Sequence, residues 1–170
     1  SGGGLCGSKI TDAQAAYETS NSLNAGLMGG VNFMLHSCGW LEGGLVTSLE
    51  KFIMDADQLG ILDSLSRGID VEESDLAFEA IKDVGAGGHF LGCDHTQKNF
   101  KSAFWRSDIL NYKPFETWQE EGEKDLTYEA NKKAKQLLKN YEAPELELSK
   151  IEELKEYVLK KKSSMPDAFV

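Results

Sequence analysis

The sequence predicts an α/β fold, and specifically the closing portion of a (β/α)8 barrel. Three observations carry this expectation. Residues 31–36 and 88–92 are short, mostly apolar runs of strand length with glycines close by, as buried parallel strands require. The segments around them carry apolar residues at helical spacing. The resulting order of helix, strand, helices, strand, helices is the rhythm of parallel strands joined by crossover helices. Two parallel strands cannot cover a sheet by themselves, whereas a (β/α)8 barrel needs eight strands and about 250 residues. The strand count therefore points to a barrel whose opening portion lies upstream. A beginning of Ser1, Gly2, Gly3 and Gly4, without Met, follows either a cleaved tag or an upstream part of a longer chain, and the strand count favours the second.

Each element has its own justification. Residues 2–9 form a glycine-rich loop. Thr11 is placed to cap a helix, with Gln14 as its capping-box partner. Ala13, Ala16, Tyr17, Ser20, Asn24 and Leu27 share one small-residue face of that helix, which ends at Gly29 and Gly30. The first strand follows, and then a polar loop over residues 37–44. The next helix carries Val46, Leu49, Phe52, Ile53 and Ala56 on one face. Asp70 with Glu73 forms a second capping box, for a helix reaching Val84 and stopped by the glycines of 85–88. The second strand covers 88–92. Beyond Asp94 the chain turns irregular, with Tyr112, Pro114 and Trp118. A long helix over about 122–141 presents Leu126, Ala130, Ala134, Leu137, Leu138 and Tyr141 inward, and Pro144 breaks it. Ser149 with Glu152 caps a last helix through about Lys162, and residues 163–170 form a frayed tail. The expected division is barrel units over 1–110, a helical extension over 111–162, and the tail.

Composition narrows the function. A length of 170 residues suits one ordinary domain. A formal net charge of -10 argues against nucleic acid as a partner. The 3 cysteines are odd in number and form no CxxC pair, which argues against a disulfide framework and for a reducing compartment. No apolar run reaches the roughly 20 residues of a membrane span, and no signal peptide is visible. The expectation is a cytoplasmic protein.

In α/β barrels the working groups sit at the C-terminal ends of the strands. Three stretches qualify: 2–9, 36–42 and 93–95. His36 ends its strand and is followed by Cys38 and Glu42; it can serve as a general acid or base, or it can be a satisfied structural histidine. Cys93, Asp94 and His95 allow a metal site with His89 or Cys38, or a metal-free polar pocket in which Asp94 orients His95. Their spacing is no zinc signature, so no metal is assigned. The opening glycines can cradle an anion or let a bulky group approach the backbone. Cys6 beside them has no paired base and reads as a buried small residue. Lys98, Lys101 and Arg106, interleaved with Phe100, Phe104 and Trp105, read as amphipathic packing or as a docking surface.

These motifs together resemble one family. Residues 87–96 (GGHFLGCDHT), followed by Phe100, Phe104, Arg106 and the WQEEGEKD run from Trp118, look like the C-terminal region of the trimethylamine:corrinoid methyltransferases. Ser8-Lys9, the DAQA run from Asp12 and the 36–44 loop look like the same family, and the likeness extends to about Pro144. It implies a (β/α)8 barrel. It also implies transfer of a methyl group from a methylated amine to the cobalt of a small corrinoid protein docked over the barrel mouth. Family members that use trimethylamine carry pyrrolysine, encoded by an in-frame amber codon. Relatives without it use quaternary amines such as glycine betaine. In the family pattern pyrrolysine would lie just before the glycine-rich loop. A fragment beginning after the amber codon would start about here and be inactive alone. On this resemblance His36, Glu42, Asp94 and His95 are the catalytic candidates, and Gly3, Gly4 and Trp40 line the substrate. The corrinoid stays on its carrier, so no tightly bound cofactor is required. The partners are the corrinoid protein, the amine and the rest of the barrel, and a homo-oligomer is compatible. The competing expectation is a non-catalytic module that docks a corrinoid protein or another partner.

Overall fold

A computed structural model describes residues 2–69 and 71–165. The expected cap at Asp70 and the end of the tail, 166–170, lie outside the described residues. The chain forms two compact units, Ser1–Leu137 and Leu138–Val170.

Helix α1 (Ala13–Met28) begins one residue later than Thr11 would place it. Asp12 is the cap, and its carboxylate accepts the Ala15 N–H at 2.9 Å. Ser8 Oγ donates to the same carboxylate at 2.8 Å, so the cap is prepared by the glycine-rich loop. Gln14 does not close a capping box; its amide donates to Glu18 at 2.8 Å. The buried stripe of α1 is Ala15, Thr19 and Leu23, spaced four apart, and not the expected face through Ala13, Ala16 and Tyr17. The reason is what lies over it. Ala15 packs with Cys6 of the glycine-rich loop and Leu41 of the next loop.

Residues 31–36 do not form a strand. A single parallel bridge joins Leu35 to Gly2. A buried parallel strand draws hydrogen bonds from neighbours on both sides, and the bridge to Gly2 gives a neighbour on one side. The regular sheet is instead a short antiparallel ladder. Its strands are β1 (Trp40–Leu41) and β2 (Val46–Thr47), with Trp40 opposite Thr47 and Leu41 opposite Val46. The two strands close around a 3-10 turn at Glu42–Gly44.

Val46 therefore belongs to a strand, not to the helix expected from it. Helix α2 (Leu49–Arg67) starts after Ser48, whose hydroxyl accepts the Lys51 N–H at 3.2 Å. Its buried residues are Lys51, Asp55 and Leu62, while Leu49 and Phe52 of the expected apolar face are exposed. Three short helices follow: α3 (Phe78–Val84), α4 (Asp94–Asn99) and α5 (Phe115–Glu120). Residues 88–92 form a turn leading into α4 and not a strand, with the Cys93 N–H on the Phe90 carbonyl at 3.2 Å. In the basic-aromatic stretch, the Trp105 ring packs against Gly60 of α2, where a Cβ would come within 2.6 Å of it. Lys101 sits over the Phe100 ring.

Helix α6 (Leu126–Lys139) buries Ala130 and Ala134, while Leu137, Leu138 and Tyr141 are exposed. Its polar links within the first unit include Asn131 to Glu50 at 2.6 Å and Lys133 to Asp108 at 2.9 Å. In the second unit, helix α7 (Leu148–Ser164) begins before Ser149, so the expected cap lies inside the helix. The Glu147 carbonyl accepts the N–H groups of Lys150 and Ile151 and starts the first turn.

The buried apolar core among the described residues is small, so one polar pair inside it carries unusual weight. Lys51 and Asp55 are 1% and 4% exposed. Replacing Lys51 by Ala leaves an uncompensated buried carboxylate, and such a loss costs about 3–5 kcal/mol. The denaturation midpoint is expected to fall sharply for Lys51→Ala. It is expected to change little for Arg67→Ala, which breaks an exposed pair of the same spacing.

Candidate functional site

The candidate site is built where the glycine-rich loop and the 36–44 loop meet over α1 and α2. The two loops are stitched by backbone bonds: the Glu42 N–H donates to the Ser8 carbonyl at 2.8 Å, and the Gly43 N–H to the Cys6 carbonyl at 2.7 Å. The Cys6 thiol donates to the Trp40 carbonyl at 3.2 Å. The Gly7 N–H is held by the Glu18 carboxylate of α1, which keeps that carboxyl below its ordinary range.

Beneath the loops lies a buried polar network. Lys51 Nζ donates to both Asp55 oxygens at 2.6 Å and to Thr19 Oγ1 at 2.8 Å. Thr19 Oγ1 in turn donates to the Gly4 carbonyl at 3.0 Å. Asp55 Oδ2 also accepts the Gly39 N–H at 2.9 Å. No buried side-chain nitrogen or oxygen among the described residues lacks a partner. Burial raises the Asp55 carboxyl above its ordinary value against the opposing pull of Lys51 and the Gly39 N–H.

Five of the expected site residues come together here. His36 and Trp40 meet edge to face, with ring centroids 5.5 Å apart and planes at 80°. His36 and Glu42 both hold left-handed backbones, with φ of 57° and 50°. Non-glycine residues rarely adopt this conformation, and it is sustained only where the surroundings impose it. Gly3 and Gly4 are needed for close approach. A Cβ at Gly4 would lie 2.6 Å from the Ser37 carbonyl oxygen, and one at Gly3 would lie 3.0 Å from the Leu23 side chain. The room left by Gly4 is thus occupied by the backbone of the loop that carries His36.

Asp94 and His95 sit apart from this cluster in α4. His95 Nε2 lies 3.1 Å from the Ser74 carbonyl, and Cys93 Sγ lies 3.2 Å from Thr96 Oγ1. Among the described residues no hydrogen bond, ion pair or ring contact joins them to His36 or Glu42. No three of His, Cys, Asp and Glu among the described residues gather as metal ligands, so the metal alternative for Cys93 and His95 gains no support. No helix among them is long and apolar enough to cross a membrane.

Sequence reasoning missed Lys51, Asp55 and Thr19. A Lys and an Asp four apart on a helix ordinarily mark a solvated face. The one usable signal was the apolar run Phe52-Ile53-Met54 between them, which brackets no solvated stripe.

Comparison with known proteins bears on this geometry. The sequence model of the trimethylamine methyltransferase (MTTB) family matches residues 1–166. The chain is 41% identical over 147 residues to a glycine betaine methyltransferase of Desulfitobacterium hafniense (strain Y51), covering 86% of this chain and 30% of that protein. It is 32% identical to a trimethylamine methyltransferase of Desulfitobacterium hafniense (strain DSM 10664 / DCB-2), over 82% of this chain and 28% of that protein. A trimethylamine methyltransferase of Methanosarcina barkeri (strain Fusaro) is 28% identical, over 92% of this chain and 31% of that protein. The chain belongs to the trimethylamine methyltransferase family. It spans less than a third of the length of these relatives.

The thiols give a pH-dependent test of the site's packing. Burial, with the nearby Asp55 charge, pushes the Cys38 thiol up to about 11, and burial raises Cys6 as well. Hydrogen bonds from Thr96 lower Cys93. The thiolate is the reacting form, so Cys93 is expected to alkylate first at pH 8. The Cys38 rate is expected to keep climbing about tenfold per pH unit up to pH 10. Peptide mapping after timed iodoacetamide treatment of the folded chain reads both, and equal rates at Cys38 and Cys93 would show that Cys38 is not enclosed.

Proposed function

We propose that this chain is the closing part of a (β/α)8-barrel methyltransferase that moves a methyl group from a methylated amine to the cobalt of a corrinoid protein. The family match across residues 1–166 carries this reading. The higher identity to a glycine betaine methyltransferase, 41% against 32% for a trimethylamine methyltransferase, favours a quaternary amine over trimethylamine.

The reaction breaks a C–N bond and leaves its electron pair on nitrogen, so the nitrogen must carry a positive charge to depart as a neutral amine. The corrinoid, held on a separate carrier, supplies the electron pair that forms the new bond to the methyl carbon. The work left to the protein is positioning the amine and excluding water. The Trp40 ring is suited to a methylated ammonium by cation–π attraction. His36 and Glu42 are assigned to hold the amine's polar substituents and its charge. Asp94 and His95, which sit apart in α4, are assigned to the same mouth on condition that residues 88–92 pair as a strand in the full-length protein. Since the chain supplies less than a third of its relatives' length, it is assigned a site wall and not a complete active site, and no activity is expected of it alone.

The test uses the full-length protein that carries this segment, mixed with a reduced corrinoid protein and one amine at a time. Cobalt methylation, followed by absorbance, is expected with glycine betaine or, failing that, trimethylamine. His36→Ala is expected to lower the rate roughly 10- to 100-fold. Absence of methyl transfer from every methylated amine, with corrinoid-protein binding retained, would replace this reading by the docking-module alternative.

A further inference from the structure

Resting on the methyltransferase reading above, we propose that Asp55, with Lys51 and Thr19, positions the loop that carries His36, Trp40 and Glu42. Asp55, Lys51 and Thr19 do not reach the amine; they act through the backbone of the two loops.

The geometry points to one joint. Asp55 Oδ2 accepts the Gly39 N–H at 2.9 Å, midway between His36 and Glu42. At that point the loop is pressed against α2: Gly39 has φ 82°, and a Cβ there would lie 3.1 Å from Phe52 Cβ. The second arm of the network runs from Lys51 through Thr19 Oγ1 to the Gly4 carbonyl, which fixes the glycine-rich loop that packs under His36 and Ser37. Both loops thus hang from one carboxylate–ammonium pair on one face of α2. The left-handed backbones of His36 and Glu42 lie on either side of the anchored Gly39, in a segment that would relax if the anchor were released.

A purely structural role does not account for this choice of residues. An ion pair buried to this degree is expensive to desolvate, and a well-packed apolar pair of similar volume often holds two elements as firmly or better. An apolar pair cannot accept the Gly39 N–H, and it cannot reach the Gly4 carbonyl through Thr19. What the charged pair adds is a hydrogen-bonded reference point for two loops.

That difference supplies the experiment, made in the full-length protein with the cobalt methylation assay. The double variant Lys51→Met/Asp55→Leu keeps the volume and removes the anchor. The double variant Lys51→Met/Asp55→Asn also removes both charges but keeps an amide oxygen for the Gly39 N–H. Positioning predicts that the Met/Leu protein melts near the wild-type temperature but loses kcat roughly 10- to 100-fold. Its KM is expected to change less than kcat, because the amine's own contacts remain. The Lys51→Met/Asp55→Asn protein loses the Lys51–Thr19 link but keeps the Gly39 anchor and the Thr19–Gly4 hydrogen bond, so it is expected to recover kcat to within about threefold of wild type. A Met/Leu protein with wild-type kcat overturns the proposal. If the Met/Leu protein does not fold, the Met/Asn protein decides alone: near-normal kcat supports the anchor, and a folded protein with collapsed kcat overturns it. Failure of the wild-type protein to methylate cobalt overturns instead the activity on which the proposal rests.

Discussion

The pairing of Lys51 with Asp55 is the constraint on which the first unit depends. The apolar core around it is thin, made largely of alanines, a cysteine and a few leucines, and small side chains bury little area. Helices α1 and α2 are instead registered by a polar contact: Lys51 reaches Thr19 on α1 while Asp55 holds it from the next turn of α2. Low dielectric strengthens that network, and the same low dielectric makes any broken member costly. The two loops above the helices take their geometry from it, so the orientation of His36 and Trp40 follows from a pair buried beneath them.

The candidate site was legible in part. The glycine-rich loop and the His36–Glu42 stretch stood out because glycines and polar residues cluster where an apolar run ends. These two segments do meet, through Ser8, Cys6 and Gly4. The Asp94–His95 segment was equally visible, yet it lies in a separate helix with its own partners. Lys51 and Asp55 were hidden because charge is the usual mark of solvent exposure, and the apolar run between them was the one hint against it. The starts of α1 and α7 were misread by a residue or two for a local reason. Thr11 and Ser149 carry capping side chains, but Asp12 and the Glu147 carbonyl were better placed to satisfy the first-turn amides.

The strands are the larger lesson. Residues 31–36 and 88–92 have the composition of buried parallel strands, but a strand is a property of its neighbours as much as of its own sequence. Parallel pairing satisfies backbone groups only when partners lie alongside. Leu35 finds Gly2 and stops there. Many large apolar side chains are exposed, including Phe33, Leu45, Phe90 and Leu91, more than a self-contained unit ordinarily presents. The barrel proposed above would supply the missing neighbours from other strands, since this chain spans less than a third of its relatives' length.

Amide hydrogen exchange tests that account most directly. The full-length protein carrying this segment would be compared with the segment alone, following residues 31–36 and 88–92. The account predicts rapid exchange of both stretches in the isolated segment and strong protection in the full-length protein, where each becomes an interior strand. Equally rapid exchange in both would mean that neither stretch is a barrel strand, and that the loops carrying His36 and Asp94 do not share a barrel mouth.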